Sequence, residues 1–177
     1  AGLLESSGPT RYTLHQTIAD YASTSERNPA VAQRLVTYFV DYITQHTGDY
    51  AALDLESYNI LAALEAAHEH AMQAALVQGV HAFAPFLITR GLYTVAEALL
   101  QRSLTAAQAS GERKGEVTAL LHLGRIAEQR SNYTLAQMNW QEALKLTRQQ
   151  GDSRGSAYAL RELGELARIQ GQPQQAR

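Results

Sequence analysis

Apolar positions along most of this chain return every three or four residues, the spacing that lines one face of a helix. Tyr38, Phe39, Tyr42 and Ile43 form one such stripe, and it reads as core; Leu120, Leu123 and Ala127 form another. The N-terminus is patterned differently. Leu3 and Leu4 make an apolar pair ahead of Ser7-Gly8-Pro9, which is turn chemistry, and Arg11 to Leu14 alternates polar residues with Tyr12 and Leu14 as a strand does. Leu14, Ile18, Tyr21 and Ala22 then share a helical face. The pattern predicts an all-α chain preceded by a short β-hairpin within Leu3 to Leu14.

Laid against itself, the chain repeats with a period of forty. Gly111, Gly115, Leu120, Leu123, Gly124, Ala127 and Ala136 recur as Gly151, Gly155, Leu160, Leu163, Gly164, Ala167 and Ala176. One step back, Ala84, Tyr93 and Ala96 stand in register with Gly124, Tyr133 and Ala136. A fixed period in this range signals stacked supersecondary units. The segment Val117 to Leu146 resembles the tetratricopeptide repeat (TPR), with Leu120, Leu123-Gly124, Ala127, a turn at Ser131-Asn132-Tyr133, then Ala136, Trp140 and Ala143-Leu144. Small residues at 124 and 136 let two antiparallel helices approach, while Leu120, Trp140 and Leu144 fill the space between pairs. The expected architecture is a TPR-like α-solenoid of helix pairs over 71–177, in units of 71–110, 111–150 and a truncated 151–177. A helical linker pair over 26–70 precedes them. The length beyond the usual thirty-four-residue unit is expected in longer second helices and a wider loop between units, around "TRQQGDSRG" and "TAAQASGERKG". Pro85 should kink the first unit's opening helix.

Composition narrows the function. The 177 residues hold 45% apolar side chains, enough for a core, and a net charge of −2 with no basic run, so direct nucleic-acid binding is not expected. There is no cysteine, hence no disulfide, thiolate metal site or thiol nucleophile. No stretch is apolar for long enough to span a bilayer and no signal-peptide pattern opens the chain, so a cytoplasmic location and no membrane partner are expected.

The order of segments is similar to the C-terminal part of bacterial NB-ARC/STAND-type signal-transduction ATPases: "RYTLHQTIADYA", "AVAQRLVTYFVDYI", "LESYNILAALEAA", then repeats. That resemblance makes residues 1–25 the end of a winged-helix domain, with Tyr12, Leu14 and His15 in its last strand and helix and the hairpin as a remnant of the wing. Glu56, Asn59 and Ala62-Ala63-Leu64 match the segment leading into the repeats. No Gly-x-x-x-x-Gly-Lys-Ser/Thr loop is present, so this chain is not expected to bind nucleotide or any other cofactor.

Nothing in the spacing assembles a catalytic constellation, and a non-enzymatic function follows. His68 and His70 are two apart and point roughly 200° from one another on a helix, which rules out a shared metal. Glu56 and Asn59 suit a helix start, and Asn28-Pro29 is an N-cap followed by first-turn proline. The candidate site is instead the concave groove lined by the first helix of each unit. It takes Gln78, His81 and Ile88 from the first; Thr118, Leu121, Arg125, Glu128 and Gln129 from the second; and Tyr158, Arg161, Glu165 and Arg168 from the third. Arg125, Arg161 and Arg168 suggest a protein or peptide ligand of acidic character. The reading is a ligand-sensing region of a signalling ATPase or transcriptional regulator. The alternative is a self-association scaffold, a homo-oligomer formed through Leu160, Leu163, Leu166 and Ala167 of the terminal repeat.

Overall fold

The computed structural model describes residues 28–171 and, ahead of them, the backbone of residues 4–8 and 11–14. Strands β1 (Leu4–Gly8) and β2 (Arg11–Leu14) pair antiparallel, Leu4 opposite Leu14 and Glu5 opposite Thr13, with an irregularity between Ser6 and Gly8. The expected helix through Ile18 and Tyr21, and His15, lie outside the described residues. Seven helices follow among the described residues: α1 (Pro29–Gln45), α2 (Tyr50–Glu69), α3 (Gln73–Thr89), α4 (Tyr93–Ser110), α5 (Arg113–Gln129), α6 (Tyr133–Gln150) and α7 (Ser153–Ile169). Asn28 caps α1, its side chain accepting from the Ala30 N–H at 2.9 Å, with Pro29 in the first turn where its missing N–H costs nothing. The fold is a TPR-like helical repeat.

From α3 onward the helices alternate seventeen and eighteen residues. They are joined by one turn used repeatedly. Ala71, Gly91, Gly111, Ser131 and Gly151 fall every twenty residues with φ of 52°, 72°, 71°, 57° and 68°. After each, the next N–H donates back five residues: Met72 to Ala67, Leu92 to Leu87, Glu112 to Ala107, Asn132 to Ala127 and Asp152 to Thr147, at 2.8–2.9 Å. This is the left-handed C-terminal cap that glycine favours. The same turn therefore closes the step inside a unit and the step between units. The wider inter-unit loop expected from the sequence is absent, because α4 and α5 are separated only by Gly111 and Glu112, and Arg113 and Lys114 already belong to α5.

Gly124 sits against Trp140, and a Cβ there would lie 2.3 Å from the indole Nε1. Trp140 is fully buried and its Nε1–H donates to the Leu121 carbonyl at 3.2 Å. In the preceding unit the equivalent pair is Ala84 and Leu100, both buried: the smaller partner on α4 leaves room for the methyl on α3. Trp140 clusters with Ala127, Ala136 and, from the next helix, Leu166. A second, larger core runs from Ala32 and Val36 of α1 through Phe83 and Leu100 to Leu146 of α6. Tyr38, read as core from the stripe, is 62% exposed, whereas Phe39 and Ile43 are buried. Pro85 does not end α3, which runs unbroken from Gln73 to Thr89, and the turn after it matches the others.

A polar clamp repeats between units. Arg90, following α3, pairs with Asp54 of α2. Forty residues on, Arg130 pairs with Glu97 of α4 at 2.6 Å and donates to Thr94 Oγ1 at 2.9 Å. After α7 the equivalent residue is Gln170, and position 137, equivalent to Glu97, is also Gln.

Candidate functional site

The first helices of successive units lie side by side. Between α5 and α7 runs a cleft of about 290 Å³, lined by Lys114, Val117, Thr118 and Leu121 of α5 and by Asp152, Arg154, Gly155 and Tyr158 at the start of α7. Its walls follow from local structure. Asp152 caps α7, accepting from the Gly155 N–H at 2.9 Å. Thr118 donates its hydroxyl to the Lys114 carbonyl of its own helix at 3.0 Å. Leu121 packs partly into both cores and Tyr158 is 37% exposed. The cleft thus has an apolar floor, one aromatic wall and a rim carrying two cations and one carboxylate.

Farther along the same two helices the charges alternate in sign. Burial holds the Glu128 carboxyl above the usual carboxylate range, assisted by the facing Glu162 and Glu165 and opposed by Arg125. Arg161 is ion-paired with Glu162 and stacks over the Tyr158 ring, its guanidinium carbon 4.7 Å from the centroid. The Arg168 Nε donates to Glu165 at 3.0 Å, and this partner lowers the Glu165 pKa. Two of the three arginines expected to form a positive strip are thus each neutralised by a glutamate on their own helix. Arg125 is exposed and has no ion-pair partner among the described residues, and the same holds for Lys114 and Arg154.

Of the residues singled out from sequence, the structure brings Thr118, Leu121 and Tyr158 together around the cleft. It gathers Arg125, Glu128, Gln129 and Glu165 beyond it, with Arg161 beside Tyr158 and Arg168 against Glu165. Gln78 is exposed on α3. His81 is turned instead into the α3–α4 interface, its Nε2 3.1 Å from the Ser103 hydroxyl, and Ile88 is buried. Lys114, Arg154, His122 and Glu162 escaped the sequence reading. Lys114 and Arg154 are forty apart, so the register held the signal, but both were placed in the supposed inter-unit loop. His68 lies in the last turn of α2 and His70 at its C-cap. Among the described residues no group of three or more His, Asp or Glu side chains is placed to hold a metal ion, and no helix is long and apolar enough to cross a membrane.

Residues 115–177 match the family model of the tetratricopeptide repeat. No curated protein matches the chain. A TPR-like array is an architecture of protein–protein interaction and scaffolding, in general a non-catalytic one.

Proposed function

We propose that this chain is a non-enzymatic interaction segment whose α5–α7 cleft receives a peptide or protein segment bearing an apolar side chain next to acidic residues. The observation that carries this reading is the cleft itself: an apolar floor and an aromatic wall between two first helices, with Lys114 and Arg154 at the rim and Arg125 farther along α5. Charge-assisted hydrogen bonds to such cations add about 1.5–3 kcal/mol each, whereas Arg161 and Arg168 must first exchange a glutamate partner. Panning a random peptide library on the full chain should enrich such sequences. Tyr158→Ala should then weaken the selected peptides at least tenfold, about 1.4 kcal/mol, with unchanged circular dichroism. Retained affinity in that variant, or a failure to enrich, refutes the proposal.

In the same proposal the segment is the ligand-sensing part of a cytoplasmic, bacterial NB-ARC/STAND-type ATPase, divided as 1–25, 26–70 and 71–177. Support comes from the sequence pattern of Tyr12, Leu14 and His15, the first two of them in β2, and from Glu56 and Asn59, which lie on α2 with the Asn59 amide donating to Glu56 at 2.7 Å. The genomic reading frame upstream of Ala1 should then encode a P-loop domain. The alternative, self-association through α7, rests on Leu160, which is 48% exposed. Leu166 and Ala167, expected on an uncovered face, are buried, and that surface is smaller than the sequence suggests.

A further inference from the structure

Helix α1 carries two apolar rows, and the core takes only one of them. Ala32, Val36, Phe39, Val40 and Ile43 are buried, and α1 packs against α2 and α3. A second row, Val31, Leu35, Tyr38 and Tyr42, runs at intervals of four, three and four residues along an adjoining face. Leu35 and Tyr42 pack partly against the core, whereas Val31 is 51% and Tyr38 62% exposed. The Tyr38 ring is already held in place, stacked on Tyr42 at 6.4 Å between centroids and edge-on to Phe39 at 5.0 Å. Covering it therefore costs little rotamer freedom. Intervals of four and three are those of a coiled-coil seam, in which each apolar side chain enters a hole on a facing helix.

We propose that this row is a self-association seam, on which α1 of a second copy packs antiparallel about a two-fold axis. The flanking charges select both the occupant and its direction. Arg34 and Asp41 lie seven residues apart on one edge of the row, both exposed and both without an ion-pair partner among the described residues. The other edge holds Ala32 and Phe39, which are buried. In an antiparallel pair like edges meet, so Arg34 of each copy faces Asp41 of the other and the complementary contact forms twice. In a parallel pair unlike edges meet, and both charges would oppose apolar side chains. The row from Val31 to Tyr42 is about 17 Å long, which places the interface at the small end of the range for stable complexes. The dimer is accordingly a reversible one, dissociating at roughly micromolar concentration. It needs no ligand in the cleft, and it uses the opposite end of the helix series from α7.

Sedimentation equilibrium of the full chain should show monomer and dimer in concentration-dependent exchange. Arg34→Asp and, separately, Asp41→Arg should each weaken the dimer about tenfold or more, because each places like charges opposite one another twice. Mixed together, the two variants should associate as tightly as the wild type, since one carries acidic residues at both positions and the other basic residues at both. Both positions are exposed, so circular dichroism should be unchanged. A dimer that ignores the charge reversals, or that only Leu160→Asp dissolves, overturns the proposal and assigns association to another face. A chain that stays monomeric at the highest concentrations overturns it as well, and leaves the row to residues 1–27 or to a different protein.

Discussion

Whether a methyl group can be added at position 124 depends on what stands opposite. With Trp140 in place, Gly124→Ala pushes the indole off its seat and off the Leu121 carbonyl, at a cost of about 1–3 kcal/mol. Trp140→Leu in the same chain restores the combination that the preceding unit already uses at Ala84 and Leu100. The double variant should therefore be more stable than the sum of the two single losses, a coupling that a double-mutant cycle by denaturant unfolding measures directly. This compensation was legible in the sequence, since the four residues are forty apart in pairs. The fate of His81 was not. It lies at the edge of the apolar stripe of α3, and at such an edge a turn of the helix by one residue decides between groove and interface. Its counterpart Leu121 shows the same ambivalence, reaching into the core while lining the cleft.

At the level of elements, the helix pairs were visible from periodicity, and the turns from Gly91, Gly111 and Gly151. Arg113 and Lys114 were mistaken for loop because the exposed first turn of a helix is as polar as a loop, and nothing in composition separates them. The turn at Ser131-Asn132-Tyr133 was expected too, but the left-handed backbone at Ala71 and Ser131 was not legible, since neither residue announces it. The Arg90–Asp54 and Arg130–Glu97 clamps hold each first helix to the second helix of the pair before it. The α6–α7 step has Gln137 and Gln170 in their place. Introducing Q137E/Q170R should supply the third clamp and raise stability by up to about 1 kcal/mol, the ceiling for an exposed pair. Hydrogen exchange should show slower opening of α7 in the double variant and no change in α2. Equal exchange at α7 would mean that the clamp geometry does not carry over to this step.

For the molecule as a whole, the first helices offer an α5–α7 cleft with room for a side chain, while on α3 His81 is engaged by Ser103 of α4. The equal spacing of the turns carries one more implication, for excision. Removing residues 111–150 would join Ser110 directly to Gly151, whose φ of 68° is within a few degrees of the 71° at Gly111. Helix α7 would then arrive where α5 had been, with Gly155, Ala159 and Leu160 substituting for Gly115, Ala119 and Leu120. Such a shortened chain should still melt cooperatively. Excising one residue fewer would turn every side chain beyond the splice by about 100° and should abolish that melt, so that this array is expected to tolerate loss in whole lengths of forty and not otherwise.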